Sequence, residues 1–93
     1  MTGPIITHSP TNDEFRFVRL KETLKLRGVS RSRLYNELAD GLFPEPVHIG
    51  RAVAWPDFEI QAINRAWLTG LSEENMRVLA SGMVSARKPV GGA

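Results

Sequence analysis

Residues 28–41 read Gly-Val-Ser-Arg-Ser-Arg-Leu-Tyr-Asn-Glu-Leu-Ala-Asp-Gly, and this stretch decides the fold. Its boundaries are those of a short helix. Ser30 is a typical N-cap residue, because its hydroxyl can accept a hydrogen bond from a free N–H of the first turn. Gly41 can adopt the left-handed conformation that ends many helices. Leu34 and Leu38 lie four residues apart and form one narrow apolar stripe, so the pattern predicts a helix with a mostly polar surface.

The first turn of this helix carries two arginines, Arg31 and Arg33. Cations are unfavourable at the positive end of the helix dipole unless an anion binds there. A DNA phosphate is such an anion, and we interpret the stretch as a DNA-recognition helix. We expect Arg33 and Asn36 to approach base edges, because arginine can bind guanine and asparagine can bind adenine bidentately. Ser32, Tyr35 and Arg31 are expected to contact mainly phosphates.

The composition of the 93-residue chain sets wider limits. Its length suits one small domain. The sequence contains no cysteine, so neither a disulfide framework nor a thiolate metal site is expected. No apolar run approaches the length of a membrane span, and the basic-then-apolar layout of a signal peptide is missing, which predicts a cytoplasmic protein. No Gly-rich phosphate loop or nucleophile–base pair is visible, and we predict neither enzymatic activity nor a cofactor.

Positive charge is concentrated in one segment. The net charge is only +2, but residues 16–33 contain seven basic side chains against one acid, Glu22. A local excess of this kind is the electrostatic footprint of a phosphate-binding face, although a solvated helix surface can have the same composition. Because the segment leads into the capped helix, we assign Arg19 and Lys21 to the DNA-binding surface. The seven basic residues are Arg16, Arg19, Lys21, Lys25, Arg27, Arg31 and Arg33.

A first short helix is predicted over residues 21–27. It directs Leu20 and Leu24 inward, together with either Thr23 or Leu26. A turn of about three residues then separates it from the recognition helix, as in a helix-turn-helix. A bare helical hairpin has the same spacing.

Two short strands, Val47–Ile49 and Val53–Trp55, are predicted on either side of a turn. Two registers are possible, because successive side chains of a strand point to opposite faces. A two-residue loop puts the large apolar residues of the two strands on opposite faces. A three-residue loop, residues 50–52, pairs Ile49 with Val53 and puts all four on one face. We prefer the three-residue loop.

The preferred register places Arg51 at the tip of the hairpin. There a basic side chain can enter a minor groove or contact a phosphate. The same register turns His48 to the outer face. A metal site would need further ligands that the sequence does not provide, so we expect His48 to be exposed or to contact a phosphate.

Two further helices are predicted, over residues 56–68 and 71–85, with Ser72 as the N-cap of the second. The second helix has apolar residues at i, i+3 and i+7 on one face, the spacing of an amphipathic helix. This face could fold back on the chain's own core or dock on a neighbouring copy, and both alternatives stay open. In the second case it forms the oligomerisation surface, made by Met76, Leu79 and Met83.

Several short motifs also occur in a recognisable order. Together they resemble the AlpA family of phage and mobile-element regulators, over about residues 18–68. The family includes transcription activators and excisionase-type recombination directionality factors. The motifs are Arg19-Leu20-Lys21-Glu22, Gly28-Val29-Ser30-Arg31-Ser32, Leu34-Tyr35, Gly41, Phe43-Pro44, Pro46-Val47, Ile49-Gly50-Arg51, Trp55 and Glu59-Ile60.

The resemblance implies a winged helix-turn-helix related in fold to the MerR DNA-binding domain. Residues 30–40 would enter the major groove, and the hairpin of residues 47–55 would be the wing. Thr23 departs from the family, which usually has an aliphatic residue there. Arg33 and Asn36 stand at variable recognition positions, so the target sequence does not carry over.

The expected fold is thus mainly α with a small β-hairpin: a MerR-like winged helix-turn-helix with an extra C-terminal helix. Residues 1–14 are predicted to be a flexible tail, and residues 15–70 the DNA-binding domain, which begins with an extended lead-in. Residues 71–86 form the C-terminal helix and residues 87–93 a flexible basic tail.

The expected function is that of a recombination directionality factor of a mobile element. Such a protein binds and bends attachment-site DNA to assist excision by an integrase, with transcription regulation as a second role. Its partners would be double-stranded DNA, a tyrosine integrase and further copies of itself along the DNA. The alternatives are a transcription activator only, or a protein–protein adaptor that uses the same fold.

Overall fold

The computed structural model describes residues 14–87, which form four helices and a small antiparallel sheet. This architecture confirms the expected fold class of a mainly helical, winged helix-turn-helix domain. Tails are predicted for residues 1–14 and 87–93, and all of their residues except Glu14 and Arg87 lie outside the described part of the chain. The elements are β1 (Phe17–Arg19), α1 (Leu20–Arg27), α2 (Arg31–Ala39), β2 (Val47–Ile49), β3 (Ala52–Pro56), α3 (Asp57–Leu68) and α4 (Glu73–Ala86).

The sheet has three strands, one more than the predicted hairpin. The lead-in to α1 forms β1 and pairs antiparallel with β3, which lies in the middle of the sheet. Val18, opposite Trp55, is fully buried, whereas Phe17 is 42% exposed. A strand of three residues is too short to show a period of two, and its partner lies far along the chain. The sequence pattern therefore indicated an extended segment but not its pairing.

The preferred register of the hairpin was wrong. Ile49 pairs with Ala52, so the loop between β2 and β3 has only two residues, Gly50 and Arg51. Gly50 has a φ of +62°, and positive φ values are what two-residue hairpin turns require. Our preference assumed that only one face of the sheet is buried. In fact Ala54 and Trp55, which point to opposite faces, are both fully buried.

The corrected register moves His48 to the other face of the sheet. His48 pairs with Val53 and shares the face of Trp55, instead of the outer face that we predicted. It remains exposed, because it lies next to the turn that connects the two strands. Val47 and Ile49 share the face of Ala54, and Ile49 is 46% exposed.

Trp55 joins the hairpin to the segment before it. Its side chain is fully buried, and its indole Nε1 donates a hydrogen bond of 2.7 Å to the carbonyl oxygen of Pro44. The ring of Phe43 packs against it with a centroid distance of 5.4 Å. These contacts hold the proline-containing segment after α2 against the sheet.

In α1, Thr23 rather than Leu26 faces inward. Thr23 is fully buried, and its hydroxyl lies 2.9 Å from the carbonyl oxygen of Arg19 and 3.3 Å from that of Val18. The hydroxyl of this buried threonine therefore has acceptors for its hydrogen bond. Leu26 is 47% exposed.

Helix α4 packs on the core of its own chain. Met76 is 1% exposed within that core, and Leu79 and Met83 pack against it. Met76 is therefore unavailable to the predicted oligomerisation surface, whereas Leu79 and Met83 are only partly buried and their assignment to it stays a prediction. Helical periodicity shows which face of a helix is apolar, but it does not show whether that face is covered by the same chain or by another.

The end of α4 is also fixed, although we predicted a flexible tail from residue 87 onward. Arg87 is the C-cap residue of α4. Its Nε and Nη2 donate hydrogen bonds of 3.0 and 2.5 Å to the carboxylate of Glu59, which is 1% exposed. A buried carboxylate needs such a partner, so this ion pair ties the end of α4 to the first turn of α3.

Because α4 completes the core, Met76→Ala should lower the free energy of unfolding by about 2–5 kcal/mol, as loss of a buried methionine side chain does. Val78→Ala, on the same helix, should change it by less than about 0.5 kcal/mol, because Val78 is 68% exposed. Denaturant unfolding measures both values. Equal small effects would contradict the packing of α4 on the core.

Candidate nucleic-acid interface

The ends of α2 are fixed as the sequence predicts. The hydroxyl of Ser30 accepts a hydrogen bond of 3.1 Å from the backbone N–H of Arg33. At the other end Gly41 has a φ of +77°, and the N–H of Leu42 donates to the carbonyl oxygen of Glu37 at 2.8 Å. Helices α1 and α2 therefore form a helix-turn-helix with a short turn between them.

One face of α2 is open to solvent. Leu34 is fully buried, and successive residues turn by about 100° around the helix axis. Ser32 and Asn36 consequently lie on the side of the helix farthest from the core, and both are exposed. Arg31 and Tyr35 border this face on one side and Arg33 on the other. The structure thus brings together the five side chains of α2 that we assigned to DNA.

Arg33 differs from Arg31 because it has partners within the protein. Its Nε donates a hydrogen bond of 2.8 Å to Oε2 of Glu37, one turn later on α2. Its guanidinium lies over the ring of Trp67, with 5.7 Å between the guanidinium carbon and the ring centroid. The Arg33 side chain is still 55% exposed.

Glu37, which lies beneath this face of α2, is the functional residue that the sequence analysis missed. Its side chain is only 2% exposed, and its Oε1 accepts a hydrogen bond of 2.6 Å from Nη2 of Arg27. A signal was present in the sequence, because Glu37 follows Arg33 by four residues and adjoins the stripe of Leu34 and Leu38. This spacing indicates an ion pair between Arg33 and Glu37, but it does not indicate the buried pair with Arg27 on another helix.

Arg27 belongs to the interior and not to the basic surface. Its side chain is 5% exposed, and its guanidinium carbon lies 5.5 Å from the ring centroid of Phe43. Its Nη1 donates to Oδ1 of Asn64 at 3.1 Å, and Nδ2 of Asn64 donates to the carbonyl oxygen of Leu26 at 3.0 Å. This network joins α1, α2 and α3.

A second member of the basic segment is paired at the surface. Arg16 donates a hydrogen bond of 2.6 Å to Glu22, and this bond lowers the pKa of the Glu22 carboxyl from its usual value. The remaining cations of the segment are exposed. Four of them have no hydrogen bond, ion pair or ring contact within residues 14–87, and these are Arg19, Lys21, Lys25 and Arg31.

The hairpin of β2 and β3, which we call the wing, carries Arg51 at its tip. Arg51 lies in the two-residue turn and is exposed, and it has no partner within the described part of the chain. Arg19 lies on the same sheet through β1, where it pairs with Ala54. His48 is exposed near the turn.

Two further kinds of feature concern the described residues as a whole, groups of metal ligands and membrane-spanning helices. This part of the chain has no group of three His, Asp or Glu side chains arranged as metal ligands. It also has no helix that is both long and apolar enough to cross a membrane.

Comparisons with known proteins agree with the motifs. Residues 16–70 match the family described as "Prophage CP4-57 regulatory protein (AlpA)", which confirms the resemblance. The chain is also similar to "Uncharacterized protein ORF88" of Enterobacteria phage P4, with 37% identity over 71 residues. The matched region covers 73% of this chain and 76% of that protein. No solved structure matches the chain.

Proposed function

Since this chain belongs to the AlpA family of prophage regulatory proteins, we propose that it is a sequence-specific DNA-binding regulator of a phage or related mobile element. The observation that carries the proposal is the exposed face of α2. Ser32 and Asn36 lie at its centre, and arginines lie on both sides. Such a face can enter a major groove, with polar side chains toward the base edges and cations toward the phosphates.

Charge at the start of α2 supports the same function. The first turn contains no acidic residue, and Arg31 has no partner within residues 14–87. In the free protein this arrangement is unfavourable, because the helix dipole and the cation repel each other. A phosphate at this position interacts favourably with both.

The wing supplies a second contact. Arg51 projects from a two-residue turn and has no partner in the described part of the chain. A wing tip of this kind can reach an adjacent minor groove or its phosphates. His48, beside the turn, is proposed to contact a phosphate, and Arg19 and Lys21 extend the phosphate-binding surface. The protein would act in the cytoplasm, where its DNA is.

Within this function, we favour a recombination directionality factor that bends attachment-site DNA and assists a tyrosine integrase. A protein partner is supported by an apolar groove of about 430 Å³ at the side of the sheet. Phe15 and Phe17 line it, are 39% and 42% exposed, and contact each other edge to face at 5.2 Å. Exposed aromatic residues are typical of protein interfaces.

Several copies are proposed to bind side by side. One module of this size usually buries only about 600–1,000 Å² of protein surface on DNA, which is little for selecting one site. Contact between neighbours raises the effective concentration at the next site. The contact cannot use Met76, which is buried in its own core, but Leu79 and Met83 of the same helix are partly exposed.

A gel-shift titration tests DNA binding. The full chain is mixed with the attachment and promoter regions of the element that encodes it, and with shuffled DNA of the same length and composition. We expect the element's DNA to bind at least about tenfold more tightly, and both affinities to fall as salt is raised. Equal affinity for both DNAs would favour the adaptor and overturn the proposal.

An excision assay with the element's own integrase separates the two regulatory roles. Excision should depend on this protein, because the bend brings the integrase sites together. If the integrase excises equally well alone, while the protein raises transcription from the element's promoter, then the activator alternative is correct.

Asn36 should determine preference at one base pair. Asn36→Ala should relax that preference by roughly 5- to 150-fold, the discrimination of one bidentate contact, and leave the other positions unchanged. Binding-site selection with random DNA measures this. Asn75→Ala, an exposed change on α4, is the matched control. Unchanged preferences in the Asn36 variant would remove it from the base-reading surface.

Arg51 should contribute affinity without sequence preference. Arg51→Ala should weaken binding to specific and shuffled DNA alike and reduce the slope of log affinity against log salt by about one. Arg65→Ala is the control, because Arg65 is exposed on the side of α3 opposite its buried residues. An unchanged affinity of the Arg51 variant at low salt would place the wing tip outside the interface.

A further inference from the structure

The two arginines in the first turn of α2 are held differently. Arg31 has no partner within residues 14–87, whereas Arg33 is fixed by Glu37 and Trp67. We propose that Glu37 is a positioning residue, which together with Trp67 presents Arg33 to one guanine of the target. This inference rests on the proposed DNA-binding function and assigns the base that Arg33 recognises.

The geometry leaves one edge of Arg33 available. Its Nε is bound to Oε2 of Glu37 at 2.8 Å, while its two Nη groups make no hydrogen bond within the described residues. The two Nη groups form the end of a planar fork. Guanine offers two acceptors, O6 and N7, at matching separation in the major groove, and this is the bidentate contact that arginine makes most often.

Glu37 can hold Arg33 because it is held itself. Its side chain is 2% exposed, and its other oxygen is bound to Arg27 at 2.6 Å. Arg27 is fixed in turn by Asn64 of α3. The carboxylate therefore has one position, set by three helices, and it transmits that position to the guanidinium of Arg33.

Neutralising Glu37 does not require Arg33. The buried guanidinium of Arg27, only 5% exposed, already provides the opposite charge that a buried carboxylate needs. Arg33 is 55% exposed and would gain little from a pair that served only stability. The second ion pair instead restricts a long side chain before DNA arrives, so that less conformational freedom is lost on binding.

The first experiment makes the same change at two arginines, one in the proposed DNA-binding surface and one outside it. Arg33→Lys keeps the charge and the Arg27–Glu37 pair, but it removes the planar fork. Binding-site selection should show that preference for guanine at one base pair falls by roughly 5- to 150-fold. Arg65→Lys is the same change on the exposed side of α3, opposite its buried residues, and it should leave every preference unchanged. In the wild type, replacing that guanine by 7-deazaguanine, which lacks the N7 acceptor, should weaken binding, whereas in Arg33→Lys it should not.

The second experiment tests whether the effect of Glu37 on base preference depends on Arg33. Glu37→Gln should reduce the preference for guanine at the same base pair as Arg33→Lys does. Added to Arg33→Lys, it should have no further effect on the preference at that base pair. A purely structural role would weaken binding to all sequences equally in both backgrounds, and this result would overturn the proposal. Thermal unfolding is measured for each variant. If Glu37→Gln does not fold, Trp67→Leu takes its place, because it leaves the Arg27–Glu37 pair intact. Trp67→Leu should reduce the preference for guanine at the same base pair.

The outcomes separate this inference from the proposed function. Wild-type protein that selects no sequence at all would overturn both. Wild-type protein that selects a site, while Arg33→Lys alters no guanine preference, would overturn only the role of Arg33 and Glu37. Arg33→Lys decides this point whichever of the other variants folds.

Discussion

The buried carboxylate of Glu37 constrains the whole helix-turn-helix. A charge at 2% exposure is tolerated only with a partner, and Arg27 of α1 supplies it at 2.6 Å. Removing one member of such a pair typically costs about 3–5 kcal/mol, a large share of the roughly 5–15 kcal/mol that stabilises a whole domain. The relative position of α1 and α2 is therefore set by a directional ion pair as well as by apolar packing.

A second buried ion pair between a glutamate and an arginine occurs at the other end of the domain. Glu59, in the first turn of α3, is 1% exposed and is bound by Arg87 at the end of α4. In a chain of 93 residues the apolar core is small, and apolar contacts alone have little directional preference. Each buried pair permits one arrangement of the helices that it joins. Together they fix the surface of α2 relative to the rest of the fold.

Local signals in the sequence were sufficient for the helices and insufficient for the sheet. Ser30 and Ser72 were identified as N-caps because a cap depends on residues within one turn, and both accept the expected hydrogen bond. The hairpin register failed because it depends on how both faces of the sheet are covered, which the strands themselves do not encode. Glu37 was missed for a related reason, since its main partner Arg27 lies on another helix.

The structure also reduces the number of cations in the basic segment and the wing that are available to bind DNA. Residues 16–51 contain eight arginines and lysines, but Arg27 is buried and Arg16 is paired with Glu22. Six remain with an exposed, charged end, and Arg33 is among them through its Nη groups. Each phosphate contact contributes about 0.9 to the salt dependence of binding. One of the six, Arg33, is directed to a base, so the other five give one copy a slope of no more than about 4.5 through this surface. The chain has four more arginines and lysines outside residues 16–51, so a steeper slope on natural DNA would require contacts from those residues or from neighbouring copies.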